Sequence, residues 1–404
     1  MRLGLLLSRQ VAVKLQGLAE AVQDSQPVSG LTHNFYRYPA RFSPLFARTA
    51  IKAFTKPGEW VLDPFVGGGT TLVEARCLGR NSIGTDISEL ACFVSRAKTM
   101  LISDSDLREV DDWFCYLAPK INLRRQAPPI ENSVQHSNKL KCLYNHKTWR
   151  IRKAIQLVLS ELTTLSKPNQ RQLARCVLLK TAQWALDGRC RIPSCTEFRH
   201  KLITNAKKMS LALRNFTRVV LKQGKRLGYV PVTYCFAMPA TSLRELQLLQ
   251  VIKPKLVVTS PPYPGIHVLY HRWQINGGKE TGAPFWISGT FDGKAASHYT
   301  FGDRRQQGLT NYYLKLRESF EVLNPLIADD AVVIQLVAFS SPETQLERYL
   351  SAMKDAGFRE VLLPQRYTYG DGRLWRVIPN RKWYAHRTNG KSQRMEVVLV
   401  HVKS

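Results

Sequence analysis

The chain has 404 residues, 44% of them hydrophobic and 10% aromatic, and its 59 lysines and arginines face 30 acidic residues for a formal net charge of +29. That composition excludes an intrinsically disordered chain and a membrane-spanning one, because the aromatics pack and no apolar run approaches the roughly 20 residues a bilayer requires. It also excludes an ordinary charge-balanced enzyme and points to a polyanionic partner.

Leu3–Leu7 is a short apolar run ended by Ser8-Arg9-Gln10, too short for a signal peptide. The eight scattered cysteines predict reduced thiols and a cytoplasmic setting. Residues 11–23 read as an amphipathic helix. A polar stretch to Gly30 follows, then an aromatic, proline-rich loop from His33 to Pro44. A helix from Leu45 to Phe54 is stopped by Lys56-Pro57-Gly58. Trp60–Leu62 is a strand, Asp63–Thr71 a loop and Leu72–Leu78 a helix. Asn81–Thr85 is a second strand, ended by Asp86, and Leu90–Met100 another helix. This alternation predicts a doubly wound α/β sheet.

The pattern changes at Asp104. As far as Leu227 the periodicities are helical, clearest over Arg150–Leu165, Gln170–Leu186 and Thr196–Leu221. Residues 120–227 hold 24 lysines and arginines and four acidic residues, so about a quarter of the chain carries +20 of the total charge. A localised excess of this kind attracts phosphates regardless of sequence. Strands resume at Val230–Phe236, Leu256–Thr259 and Ala331–Val337, and Glu360–Leu363 with Met395–His401 reads as a long hairpin.

Gly67, Gly68 and Gly69 follow a strand and open a helix, where backbone N–H groups approach a ligand at the mouth of the sheet. Asp86 ends the next strand, placed to bond vicinal ribose hydroxyls. Together they indicate a nucleoside-containing cofactor. The strict G-x-G-x-x-G is absent, so this is not the dinucleotide fingerprint. A tight turn followed by a helix N-cap at Ser88 is the purely structural alternative.

Asp63-Pro-Phe-Val-Gly-Gly-Gly-Thr-Thr71, with Glu74-Ala75 and Gly84-Thr-Asp86-Ile-Ser88, closely resembles the S-adenosyl-L-methionine motif of the DNA amino-methyltransferases. Tyr38-Pro-Ala-Arg-Phe-Ser-Pro44 resembles the element that family places just before it. The resemblance covers residues 31–100 and 230–404. It implies a Rossmann-like methyltransferase sheet with a C-terminal β-hairpin, and S-adenosyl-L-methionine as cofactor. Tyr38 and Phe42 would lie over its methionine end. Asp63, Pro64, Phe65 and the loop Gly67, Gly69 and Thr70 would hold the methionine part. Asp86 would bind the ribose and Ile87 pack on the adenine, with Thr241 of Pro239-Ala-Thr-Ser242 beside it.

The second motif is Val257-Val-Thr-Ser260-Pro261-Pro262-Tyr263-Pro-Gly265. A strand delivers Ser260 to the carboxyl edge of the sheet. The two prolines fix φ and leave free carbonyls, and Tyr263 offers a face for stacking. Acceptors at Ser260 Oγ and the Pro261 carbonyl would align the hydrogens of an exocyclic amine on a base taken out of the helix. The box resembles the family's (Ser/Asp)-Pro-Pro-Tyr, and with Ser first it resembles the N4-cytosine members most. Carbon-5 chemistry needs a Cys after a Pro, and no Pro-Cys dipeptide exists in the chain.

Cys176, Cys190, Cys195 and His200 match no zinc spacing, so no metal is expected. Arg366–Lys391 is basic and aromatic and resembles a late element of N4-type members. Within it Arg376, Arg381 and Lys382 would clamp phosphates or cover the target base, or the stretch packs on the sheet edge. His267, Tyr270, His271, Arg272 and Trp273 are expected in the same cleft, followed by a long Gly-rich loop from Asn276 to Gly302.

The whole reads as three parts. Residues 1–103 hold an N-terminal helix and the cofactor half, 104–227 a basic helical insertion for target recognition, and 228–404 the catalytic half. The expected activity is methyl transfer to an amine of a DNA base, favouring N4 of cytosine. An N6-adenine enzyme, an RNA base methyltransferase and an inactive nucleic-acid-binding module are the alternatives. DNA is the expected partner, touched by Arg214, Arg218 and Lys222 on one helix, with a cognate restriction or defence nuclease as a further partner and no membrane.

Overall fold

The computed structural model describes residues 17–24, 26, 28–38, 43–127, 140–264, 272–275, 279–293, 299–301, 309–363, 370–377 and 395–404. Phe42, His267, Tyr270, His271, Arg381 and Lys382 lie outside them. A helical segment over 17–22 is followed by α1 (Pro44–Phe54), β1 (Trp60–Asp63), α2 (Thr70–Cys77), β2 (Asn81–Asp86) and α3 (Glu89–Thr99). Next come α4 (Asp104–Lys120), α5 (Trp149–Glu161), α6 (Pro168–Leu186) and α7 (Cys195–Leu227). The second half contains β3 (Thr233–Ala237), α8 (Gln247–Val251), β4 (Leu256–Thr259), β5 (Trp273–Ile275), β6 (Lys279–Thr281), α9 (Ala283–Ser288), α10 (Thr310–Leu323), β7 (Val332–Ala338), α11 (Pro342–Asp355), β8 (Phe358–Glu360), β9 (Leu374–Val377) and β10 (Met395–Lys403).

The main sheet runs β3-β2-β1-β4-β7-β10-β8, with β9 also on β10. Its first five strands are parallel. The chain winds outward from β1 to β3, then restarts at β4 on the other side of β1, so a switch point lies between β1 and β4. Ligands of open α/β sheets bind outside the carboxyl ends of the strands at such a point. Along β7 the side chains alternate between the two layers. Val332, Ile334 and Leu336 join the core under α1, and Val333 and Val337 join the core with α10 and α11.

Two expectations change. The C-terminal pair is not a simple hairpin, because β10 lies between β7 on one side and β8 and β9 on the other, antiparallel to all three. The stretch expected as a Gly-rich loop contains β6 and α9, and Trp273–Ile275 pairs with Lys279–Thr281.

The helical segment shares its core with the sheet layer. Phe114, Ile151, Leu178, Phe198 and Phe216 belong to one apolar cluster with Leu90, Phe93 and Val94 of α3 and with Phe35, Tyr36 and Tyr38. α7 starts with a capping box, in which Ser194 Oγ accepts from Glu197 N (3.1 Å) and Glu197 Oε2 accepts from Ser194 N (2.7 Å). It ends on Gly228 at φ +77°, a left-handed cap that glycine adopts without strain. Among the described residues no helix is long and apolar enough to cross a membrane.

Candidate active site

Strands β1 and β4 pair in the sheet and end side by side, where a side-chain bond also links them: Thr259 Oγ1 donates to Asp63 Oδ1 at 2.6 Å. Asp63 also accepts from Phe65 N (3.2 Å) and is 1% exposed. Burial pushes its carboxyl up to about 6, against the bonds from Thr259, Thr71 and Phe65. Asp63 therefore fastens the end of β1 to the end of β4.

The loop that follows turns through Gly67 (φ +44°) and Gly69 (φ +75°). A Cβ on Gly69 would meet Ser95 Oγ at 2.6 Å and Ser95 Cα at 3.1 Å, so α3 packs where only glycine fits. Tyr38 closes over the loop, its ring 3.3 Å from where a Gly67 Cβ would sit. Pro64 accepts through its carbonyl from Thr85 Oγ1 (3.2 Å), and Thr70, buried, opens α2. Asp86 holds the loop from the next strand: Gly67 N donates to Oδ2 (2.9 Å) and Ser88 N to Oδ1 (2.8 Å). Burial raises this carboxyl too, to about 6, although both amide bonds favour its charge. Ile87 is half-buried beside α3, and Thr241 is exposed in the turn after β3.

Two buried charges support the loop from behind. Lys98, fully buried on α3, donates through Nζ to the Gly68 carbonyl at 2.5 Å. Glu74, fully buried on α2, lies 2.8 Å from His33 Nε2 and accepts from Arg48 Nε (2.7 Å) and Nη2 (3.1 Å). It ties the His33–Tyr38 segment and α1 to the helix behind the glycines. For Lys98 a signal existed, since Leu90, Val94 and Lys98 recur every four residues on one buried helix face.

At the end of β4, Ser260 is half-buried, with Oγ 2.9 Å from the Leu336 carbonyl and 3.2 Å from Tyr263 Oη. Pro261 is buried and Pro262 half-buried. The Pro262 carbonyl accepts from Tyr312 Oη at 2.6 Å. Tyr312 in turn contacts Phe301, whose ring stands edge-on to Phe65 with centroids 5.6 Å apart. Phe301 holds φ +58°, an uncommon conformation for an aromatic residue.

Tyr263 is the main correction in the box. It is 5% exposed in the core, and its hydroxyl donates to Glu396 Oε1 at 2.9 Å, so its ring does not present an open stacking face. Arg376, grouped with a phosphate clamp, is likewise 5% exposed and bonded to Glu396 Oε2 through Nε (2.7 Å) and Nη2 (2.6 Å).

The basic residues of α7 divide. Arg214 turns toward α4 and pairs with Asp104 at 2.8 Å, while Arg218 and Lys222 are exposed along with Lys207, Lys208, Lys225 and Arg226. Leu227 and Gln223 abut Gly79 and Pro57, which precede β2 and β1, so this end of α7 lies at the amino edge of the sheet. The carboxyl edge receives the α6–α7 connection instead: Arg37, next to Tyr38, pairs with Asp187, and Gly188 N donates to Gln274 O. Arg189 and Arg191 are exposed there, and Arg189 and Lys201 flank the Trp184 ring at 5.2 and 5.4 Å. α4 adds Asp104, Asp106, Glu109, Asp111 and Asp112 to the helical segment, and Lys167 as well as Arg214 pairs with it.

Residues 19–96 match the family model described as DNA methylase. The chain is 33% identical over 78 residues to the type II methyltransferase M.MjaII of Methanocaldococcus jannaschii, covering 19% of this chain and 15% of that protein. It is 41% identical over 86 residues to the type II methyltransferase M.MvaI of Kocuria varians, covering 20% and 19%. It is 38% identical over 80 residues to M.BsoBI of Geobacillus stearothermophilus, covering 20% and 16%. The matched stretches thus span less than a fifth of these relatives' own lengths.

Proposed function

We propose that this chain, whose residues 19–96 match the family model described as DNA methylase, transfers a methyl group from S-adenosylmethionine to the exocyclic amine of a DNA base, N4 of cytosine in particular. One observation carries the reading: Ser260-Pro-Pro-Tyr263 and the glycine loop meet at the switch point, joined by the Asp63–Thr259 bond.

The residues present fit the cofactor. Asp86 is an acceptor for ribose hydroxyls beside a loop pinched so tightly that a Cβ at Gly69 would clash. Tyr38 closes the other side of the loop. When bound, S-adenosylmethionine supplies an electrophilic methyl.

The chain must then do two things to the amine. It must align the two N–H bonds, and it must favour a tetrahedral nitrogen whose lone pair is withdrawn from the ring. Ser260 Oγ and the Pro261 carbonyl supply two neighbouring acceptors for those hydrogens. No covalent enzyme intermediate is required. A neutral serine in first place supports cytosine over adenine, a preference drawn from the resemblance.

The test is nucleoside mass spectrometry on DNA from a host expressing the chain, with 4-methylcytosine as the expected product. Only 6-methyladenine would overturn the cytosine reading, and absence of any methylated base in DNA would overturn the DNA reading. Ser260→Ala should slow single turnover by about 10²–10³, the cost of one preorganised hydrogen bond, with cofactor affinity retained.

A further inference from the structure

Resting on that reading of the box, we infer that Glu396 and Arg376, brought in by the last two strands, set the hydrogen-bond polarity of Ser260. Both side chains are 5% exposed, and neither reaches the cleft directly. They act through Tyr263 and are therefore positioning residues.

The polarity follows from proton inventory. An arginine guanidinium only donates, and the carboxylate paired with it only accepts. Tyr263 Oη, 2.9 Å from Glu396 Oε1, must then be the donor of that bond. Its single proton points away from Ser260, although the two hydroxyls are only 3.2 Å apart. The Ser260 proton has an acceptor at the Leu336 carbonyl, 2.9 Å away. With the Ser260 proton given to the Leu336 carbonyl or to Tyr263 Oη, and the Tyr263 proton drawn to β10, neither hydroxyl proton occupies the lone pairs that Ser260 turns to the cleft. An amine presented there meets an acceptor. If Tyr263 were free to turn, its proton would compete for the same oxygen.

The device is assembled from elements far apart in sequence. Arg376 faces Glu396 across the β9–β10 pair, and the bond back to Tyr263 crosses 133 residues. The two strands act together: β9 supplies the guanidinium that keeps the β10 carboxylate an acceptor.

Glu396→Gln tests the idea, because an amide can donate to Tyr263 and turn its proton toward Ser260. We expect kcat to fall about a hundredfold, comparable to removing one preorganised hydrogen bond. The KM for DNA and the cofactor affinity measured by calorimetry should be retained. Adding Tyr263→Phe removes the misdirected proton and should restore most of that loss, a rescue that a purely structural role would not produce. Glu360→Gln weakens the half-buried pair with Arg373 on the same sheet and should leave kcat alone while lowering the melting temperature. If Glu396→Gln loses cofactor binding through misfolding, Arg376→Met with Glu396→Leu replaces the pair by apolar groups and should show the same loss of kcat. A wild-type kcat in either Glu396 variant, or a double variant no better than Glu396→Gln, overturns the inference. Absence of methyl transfer by the unmodified chain overturns the reading on which it rests.

Discussion

Two carboxylates at strand ends do different work because of what surrounds them. Asp63 is enclosed and braces Thr259, whereas Asp86 is half-buried and holds Gly67 and Ser88 by their amides. Both sit near 6 instead of the ordinary 3.8, so the folded chain retains protons that the unfolded chain has already released. The sign is definite: without ligand, stability conferred by these two groups declines as pH rises from 3.8 through about 6. Cofactor affinity should move oppositely, since the proposed ribose role needs Asp86 ionised to accept from both hydroxyls. Calorimetric titration across that window should show binding weakening below about pH 6, and Asp86→Asn should flatten most of the dependence. A pH-independent affinity in the unmodified protein would remove Asp86 from the ribose role.

Among the elements, α2 is held at its start and at its middle. Its N-terminus leaves the glycine turn, and Glu74 one turn further on is clasped by His33 and Arg48. Removing both partners, as in His33→Leu with Arg48→Met, strands a fully buried carboxylate. The expected loss is about 3 kcal/mol, the lower end for such a group because Arg48 is itself partly exposed. Thermal or urea unfolding would measure it, and an unchanged midpoint would show that the clasp is energetically idle. Glu74 stands just after the glycine motif, but its partners lie 41 and 26 residues upstream, so nothing local announced what it bonds.

For the whole molecule, the position of the positive charge matters more than its sum. α7 is 33 residues long, about 50 Å at the helical rise, and runs from the carboxyl edge of the sheet to the amino edge. Lysines and arginines at its two ends are therefore in different places relative to Ser260. The edge proposed to receive the base also holds Arg189, Arg191 and Lys201. Changing these three to Gln should flatten the dependence of log affinity on log salt by roughly 2–3, at about 0.9 for each phosphate no longer neutralised. Arg218→Gln with Lys222→Gln and Lys225→Gln should change it less. Fluorescence anisotropy over a salt series compares the two, and a larger effect at the amino-edge end would reverse the assignment.

Local sequence alone determined the parallel α/β core, the glycine loop and the Ser-Pro-Pro-Tyr box. The loop and the box are contiguous runs whose backbone demands, a left-handed glycine or a fixed proline φ, are met by their own residues, and the core follows from strand and helix patterns that each segment carries locally. Periodicity also located the three helices after α4, within four residues for α5 and α6 but six short at the end of α7, while α4 went unseparated. Tertiary structure decided what long-range pairing controls. β10 became an interior strand because β7 and β9 both needed a partner. Tyr263 became a buried donor because Glu396 arrives from 133 residues away. Arg376, with the appearance of a surface cation in a basic run, became the buried partner of that carboxylate, since only the β9–β10 register brings the two opposite signs together in a place that water does not reach.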